Sequence, residues 1–254
     1  MDNFMNMTED VGHSPELQRL RDLNAVYFDA LDHKLAVAPV NLDEPGKSIL
    51  DSGTADGIWL RDLRSTVTAE HEYFGSDIEG ELFPSQPDGI KYFQHSFKDL
   101  WPQDLPSRPT EVVRNLATLA KPGSWVQLQE MNAFTAPPNG PAITDFARMA
   151  SENWTGIGVG DFANELASYL REGGLKNVQK RRVMCRLGKS TKPELREQSV
   201  NGVTGPIEPL VSFARSVKLS FTGDERSAMK SRVKAELKNN GGIIEVVIAF
   251  GQRE

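Results

Sequence analysis

The sequence predicts an α/β protein in which helices cover both faces of a mostly parallel sheet. Short apolar segments with strand character alternate along the chain with longer segments whose apolar residues recur at helical spacing. Glycine pairs separate these segments, because Gly173-Gly174 ends one predicted helix and Gly241-Gly242 precedes the last predicted strand. Strands that alternate with helices favour a parallel sheet, since each crossover connection carries a helix back over the sheet.

The composition is that of a globular protein and excludes several functional classes. The 254 residues can bury a full core, so we expect one domain over residues 1–254. A formal net charge of -6 argues against a nucleic-acid-binding surface. The lone cysteine, Cys185, cannot form an internal disulfide, and no apolar run approaches the roughly 20 residues that span a bilayer. The polar N-terminus lacks the features of a signal peptide, so we expect a soluble cytoplasmic protein without nucleic-acid or membrane partners.

The first half of the chain predicts a helical cap followed by three strands. Residues 1–40 are expected to form an N-terminal tail and the cap, with Ser14 and Pro15 at the start of its helix. The predicted elements are a helix through residue 33, a strand at 48–51, a helix at 58–69, and strands at 73–77 and 90–95.

The second half predicts five helices and three strands. The helices are expected at 110–119, 142–153, 161–172, 206–218 and 223–238, and the strands at 125–130, 178–187 and 243–250. Residues 134–172 are a candidate insertion that covers a substrate pocket.

One segment, Ile49 to Trp59, carries the pattern with the most chemical content. It runs from a strand through a turn of small residues into a helix. Glycine there allows close approach of a ligand to the backbone, and the helix start offers free amide donors. Asp77 lies 26 residues after Asp51, at the end of the next predicted strand, where an acid can accept the ribose hydroxyls of an adenosine cofactor. Asp77 could instead be a surface acid or a helix cap, but the paired spacing favours the cofactor interpretation.

Several motifs together resemble a known family. They are Glu16-x-x-Arg19-Leu20, Leu35-Ala36-Val37-Ala38-Pro39, Leu50 to Trp59, Tyr73 to Ile78, Phe83-Pro84, Trp101-Pro102 and Lys121 to Glu130. This set resembles the class I S-adenosylmethionine-dependent methyltransferases, and within them the fungal secondary-metabolism type related to the velvet-complex regulator LaeA. The most specific parts are Gly-Thr-x-x-Gly-Ile-Trp after a strand-end Asp and the Lys-Pro-Gly-x-Trp-Val strand.

The resemblance implies a Rossmann-like fold, S-adenosyl-L-methionine as cofactor, and methyl transfer to a small-molecule acceptor. It implies that Gly53, Thr54 and Gly57 line the methionine and ribose end of the cofactor. Asp51 would order the turn and face the cofactor's amino group, and Asp77 would hold the ribose. The full set of cofactor-binding residues implied in this way is Asp51, Ser52, Gly53, Thr54, Gly57, Asp77, Ile78, Ser96 and Phe97.

Three apolar residues complete this implied site or lie beside it. By the same resemblance, Ile78 packs on the adenine, and the Ser96-Phe97 pair lies at the adenine's edge. Trp59 follows the turn and could also face the cofactor, but on a helix that covers a sheet a core position is favoured.

The chain departs from the family pattern at two places. Ala55 stands where the family has glycine, so one methyl group is added where the backbone should approach the cofactor. The usual fourth strand is apparently missing, because only Lys98 to Arg108 separates Phe97 from Pro109. That segment has two prolines and four charged residues, and it cannot form a buried strand.

The missing strand leaves three expectations for the sheet. We expect the strand after Lys121-Pro122-Gly123 to shift inward and pair with the strand at 48–51. Alternatively, a partner chain supplies the strand, or the sequence has lost an internal segment of roughly 20–30 residues.

Other chemistry-bearing residues carry weaker signals. The histidines show no metal-binding spacing. His95 and Glu130 are each either a general base or a residue that borders the pocket, and we favour the second interpretation for both. Cys185 is expected to be packing. Two alternatives to methyl transfer stay open, a pathway cyclase or isomerase and a LaeA-like regulator with protein partners and a nuclear location.

Overall fold

Two three-stranded sheets form the framework of the computed structural model, which describes residues 15–86, 88–95, 109–134, 137–213 and 218–254. The first sheet is parallel, in the order β1-β2-β3, and consists of β1 (Ser48–Ser52), β2 (Glu72–Asp77) and β3 (Lys91–Gln94). The second sheet is antiparallel, in the order β4-β6-β5, and consists of β4 (Trp125–Asn132), β5 (Lys176–Leu187) and β6 (Gly242–Gln252).

Eight α-helices connect and cover these strands in the described ranges. They are α1 (Pro15–Ala30), α2 (Ile58–Ser65), α3 (Pro109–Leu119), α4 (Pro141–Gly156), α5 (Phe162–Glu172), α6 (Arg196–Thr204), α7 (Ile207–Phe213) and α8 (Gly223–Asn239). None of them combines the length and the apolar character that crossing a membrane requires. The N-terminal tail at 1–13 and the Ser14 cap lie outside the described residues.

Helix α6 is the one helix of the described chain that the sequence did not predict. Its sequence is short and polar, with Gly202 near the carboxyl end. Gly202 lies directly against α1, where a Cβ atom would come within 2.9 Å of the Leu23 amide nitrogen. Close packing against α1 therefore stabilises α6, and helix propensity does not.

Two of the buried clusters lie on the two faces of β6, and a third packs α2 against the parallel sheet. On one face, Phe146 of α4 and Leu237 of α8 belong to the same buried cluster as Ile248. On the other face, Leu170 of α5 packs in a cluster with Val247. Because α4 and α5 contribute to these clusters, both helices are part of the core. That residues 134–172 also cover a substrate pocket stays a prediction.

The α/β fold class is confirmed, but the strands do not form one continuous sheet. Among the described residues, β1 pairs with β2 alone, and β4 pairs with β6 alone. The expected inward shift of β4 onto β1 is therefore wrong. No strand of the described residues pairs with either of these edges. The segment 98–108, on which the prediction of a missing fourth strand rests, lies outside the described residues.

The free edge explains why β1 is not the buried strand that its sequence predicted. Leu50, in the middle of β1, is 38% exposed, and Ser48 is exposed as well. A strand at this position of a doubly wound sheet is normally buried because it has a neighbour on each side. Here one neighbour is absent from the described part, and the apolar side chain of Leu50 meets solvent.

A side chain links the two halves where strand pairing does not. The amide of Gln127, in β4, accepts hydrogen bonds from the backbone nitrogens of Val37 at 2.7 Å and Ala38 at 3.0 Å. It also donates to the carbonyl oxygen of Leu35 at 2.9 Å. Gln127 thus fixes the connector between α1 and β1 onto the second sheet.

Candidate cofactor-binding site

The parallel pairing of β1 and β2 brings the predicted site together at their carboxyl ends. Asp51 lies opposite Gly75 in the register, and Ser52 lies opposite Ser76. Asp77 ends β2 one residue later. Ligands of open α/β sheets bind at this edge, because the connecting loops and helix N-termini converge there.

The turn between β1 and α2 needs unusual backbone conformations. Gly53 and Gly57 have φ angles of 80° and 79°, in the left-handed region that favours glycine. The amides of Gly53 and Thr54 both donate to the Ser76 carbonyl, at 2.7 and 3.0 Å. A Cβ atom on Gly57 would lie 2.1 Å from the hydroxyl oxygen of Tyr92, so this position has no room for a side chain.

Ala55 adopts a conformation that suits the glycine usually found there. Its φ angle is 48°, in the left-handed region, and its side chain is buried. The Ala55 amide donates to Oδ2 of Asp77 at 2.8 Å, and the Glu79 amide donates to Oδ1 at 3.1 Å. Asp77 therefore orders the turn directly, and the remaining lone pairs of its carboxylate can accept further donors.

Asp51 and Thr54 form a polar pair with little solvation. Burial raises the pKa of the Asp51 carboxyl to about 6, the Thr54 hydroxyl opposes this shift, and the negative charge of Asp77 adds to it. Thr54 is buried, and its hydroxyl lies near the Asp51 carboxylate but forms no hydrogen bond of full geometry among the described residues. Both groups can therefore gain from a polar ligand at this end of the turn.

Asp56 is a member of the turn that sequence reasoning missed. Its carboxylate is almost fully buried and forms ion pairs with Arg21 of α1, at 2.7 Å, and with Arg61 of α2, at 3.0 Å. The sequence shows that Asp56 lies inside the motif. It does not show that Asp56 pairs with Arg21, because Arg21 precedes Asp56 by 35 residues and follows no pattern that points to it.

The predictions for the apolar residues of the site have three different outcomes. Ile78 follows β2 and is 49% exposed, which leaves its side chain open to a ligand. Trp59 packs against the buried cluster that contains Leu60 and Leu63, so the favoured core interpretation is confirmed. Ser96 and Phe97 lie outside the described residues.

The other candidate residues take no demonstrated part in chemistry. His95 follows β3, and its amide donates to the Asp77 carbonyl at 2.8 Å, so it borders the turn. Burial raises the pKa of Glu130 in β4 to about 7, and both interpretations of this residue stay open. Cys185 is buried, with a pKa raised to about 12 by burial, as expected for packing. No cluster of potential metal ligands occurs within the described ranges.

Known proteins resemble this chain over its whole length. Methyltransferase psoC of Aspergillus fumigatus is 61% identical, and the alignment covers 100% of both chains. It runs over 270 positions, so this relative carries residues that have no counterpart among the 254 here. N-methyltransferase tcpN of Claviceps purpurea is 25% identical, with 100% of this chain and 99% of the relative covered. No family model matches the chain.

The fold also resembles that of a solved structure. A protein of Anabaena variabilis, described as a methyltransferase from an antibiotic biosynthesis pathway, superposes with a TM-score of 0.53 at 12% identity. The match covers 92% of this chain and 99% of the other. Shared fold alone does not define an activity, but identity of 61% over full length to a named methyltransferase does define the family. The chain belongs to the class I S-adenosylmethionine-dependent methyltransferases.

Proposed function

We propose that the turn between β1 and α2 binds S-adenosylmethionine and that the chain methylates a small-molecule acceptor in fungal secondary-metabolite biosynthesis. One observation carries the assignment of the site. Asp51 and Asp77 stand at the carboxyl ends of adjacent parallel strands, next to a turn in which every second residue, Gly53, Ala55 and Gly57, is left-handed. This arrangement offers amide donors and two carboxylates to one ligand.

The residues present fit this cofactor. A Cβ atom on Gly53 would meet nothing within 4 Å in the described structure, so the backbone is open to a ligand at that point. The buried Thr54 hydroxyl is a second sign, because it forms no hydrogen bond of full geometry among the described residues and buried polar groups normally form one. Asp51 is expected to hold the amino group, Asp77 the ribose hydroxyls, and Ile78 a face of the adenine.

The chemistry needs few groups from the protein. When bound, S-adenosylmethionine supplies an electrophilic methyl group on a sulfonium centre. The turn residues hold the cofactor in one orientation, and the acceptor pocket has to align the attacking atom with it and exclude water. Proximity and orientation of this kind account for most of the rate enhancement in such a displacement. A general base is required only for a hydroxyl or carbon acceptor, and Glu130 and His95 are the residues to test in that case.

The experiment combines cofactor binding with product analysis. Purified protein is titrated with S-adenosylmethionine in a calorimeter, then incubated with methyl-labelled cofactor and an extract of a strain that lacks the gene. We expect binding and a labelled product that is heavier than its precursor by one methyl group. The position of that methyl group in the product identifies the acceptor atom.

The same experiment distinguishes the alternatives. A product of unchanged mass would instead favour the cyclase or isomerase. Cofactor binding without any product would favour a regulator that acts through protein partners.

A further inference from the structure

Asp56 connects the cofactor turn to three other elements of the fold. Its side chain is 3% exposed, and one oxygen, Oδ2, accepts hydrogen bonds from Arg21 at 2.7 Å and Arg61 at 3.0 Å. The other oxygen, Oδ1, accepts the Ile58 amide at 3.2 Å, at the start of α2. A buried carboxylate with two cationic partners holds its position firmly, because losing either partner leaves charge without compensation.

The backbone of Asp56 is held as well. Its carbonyl oxygen accepts a hydrogen bond from Arg61 and another, at 3.3 Å, from the hydroxyl of Tyr92 in β3. Arg61 and Tyr92 in turn share Asp88, at 3.2 and 2.9 Å. Asp56 is therefore fixed from α1, α2 and β3 at once.

This anchor lies next to the strained position of the turn. Ala55 has a φ angle of 48°, which places its Cβ atom too close to neighbouring backbone. Such a conformation persists only where the surrounding contacts hold it. Asp77 holds the amide side of Ala55, at 2.8 Å, and Asp56 is the next residue on the carbonyl side.

We propose that Asp56, held by Arg21 and Arg61, is a positioning residue that keeps Ala55 left-handed and so presents the turn to S-adenosylmethionine. The proposal rests on the cofactor site assigned above. It makes α1 part of the binding site, because Arg21 is the contact through which that helix reaches the turn. It also gives a reason why this chain tolerates alanine where its family has glycine.

A double-mutant cycle between Asp56 and Ala55 tests this coupling. We expect Asp56→Asn to weaken S-adenosylmethionine binding about tenfold, which corresponds to ~1.4 kcal/mol. In an Ala55→Gly background, where the left-handed conformation no longer needs support, the same substitution should cost less than about threefold. Arg21→Gln, at a more exposed position, should show the same dependence on background with a smaller loss.

Hydrogen exchange of the cofactor-free protein gives a second readout. Asp56→Asn should speed hydrogen exchange at the Ala55 and Gly57 amides. The parent protein, which keeps Asp56, should bind S-adenosylmethionine without the Ala55→Gly substitution. Asp29→Asn is the matched control, because Asp29 also anchors α1 through an ion pair, with Lys192, away from the turn. We expect this control to leave both the affinity and the exchange of the turn unchanged.

Two results would overturn the proposal. One is an equal loss of affinity from Asp56→Asn in the alanine and glycine backgrounds, which would make the contribution of Asp56 independent of Ala55. The other is unchanged exchange at the turn in both Asp56→Asn and Arg21→Gln. A parent protein that fails to bind S-adenosylmethionine would refute the proposed function instead, and the exchange data would still decide whether Asp56 holds the turn.

Discussion

Asp77 has two tasks at the residue scale, since its carboxylate accepts two backbone amides and remains available to the ribose. We expect Asp77→Ala to weaken S-adenosylmethionine binding by about 1.5–3 kcal/mol, the usual worth of hydrogen bonds to a charged group. Titration calorimetry measures this. Glu72→Gln is the control, because Glu72 lies at the other end of β2 in an exposed ion pair with Lys91. Unchanged affinity in Asp77→Ala would remove this residue from the site.

Ala55→Gly should leave stability unchanged or raise it by up to about 1.6 kcal/mol, and it should be at least neutral for cofactor affinity. Relief of a left-handed alanine favours the variant by about 1–2 kcal/mol. Greater freedom of glycine in the unfolded chain opposes it by about 0.4–1 kcal/mol. Thermal unfolding and calorimetry on the same samples test both parts. A clear loss of affinity would mean that the methyl group of Ala55 contributes to the site.

Asp51 should make cofactor binding depend on pH. Its pKa is about 6 in the folded protein, above the ordinary 3.8, because burial disfavours the charge. A cationic amino group beside Asp51 favours the ionised form, so below pH 6 binding must release a proton. Affinity should therefore fall as the pH is lowered from 7 to 5. Asp51→Asn should bind more weakly at pH 7 and show a flatter profile, whereas identical profiles would place the amino group elsewhere.

At the scale of elements, the side chain of Gln127 joins the α1–β1 connector to β4 through hydrogen bonds, since no strand pairing of the described residues joins them. We expect Gln127→Ala to lower the free energy of unfolding by about 1–3 kcal/mol, because three backbone groups of residues 35–38 lose their partner. Urea denaturation measures the change. Gln179→Ala in β5 serves as control, since Gln179 is exposed. An equal effect in both variants would show that the connector is held by other contacts.

Periodicity alone predicted most elements, and the exceptions have physical causes. The existence of α8 and β6 followed from local signals, namely the helical spacing over 223–238 and the apolar run that begins at Ile243. The exposure of β1 could not be predicted from local signals, because the burial of a strand depends on neighbours elsewhere in the chain. Helix α6 depends on contact with α1 in the same way. In the site, the spacing of Asp51 and Asp77 was sufficient to predict their proximity, whereas Arg21 could be placed only by the fold.

At the scale of the whole molecule, β1 and β4 each have one edge without a partner strand among the described residues. Inserting a family-like fourth strand before α3 should give both edges a partner and cover Leu50. We expect the restored protein to unfold at a higher temperature and to gain more from S-adenosylmethionine, since the added strand would pair the backbone groups of both edges and remove the apolar side chain of Leu50 from solvent. Calorimetric melting with and without cofactor compares the two proteins. If the short chain melts cooperatively as a monomer and gains equally from cofactor, the argument from the missing strand fails.

The central place of β6 has a consequence for how the protein is made. The parallel sheet is complete once residue 94 has been synthesised, but the antiparallel sheet has to wait for residues 242–252, which form its middle strand. From the end of β4 at residue 132 to the end of β6 at residue 252, synthesis at roughly 5–20 residues per second takes about 6–24 seconds. During this time β4, joined later by β5, has no partner in its own sheet and exposes unpaired backbone groups that invite aggregation. The yield of this enzyme in a cell should therefore depend on chaperone capacity more than its final stability suggests.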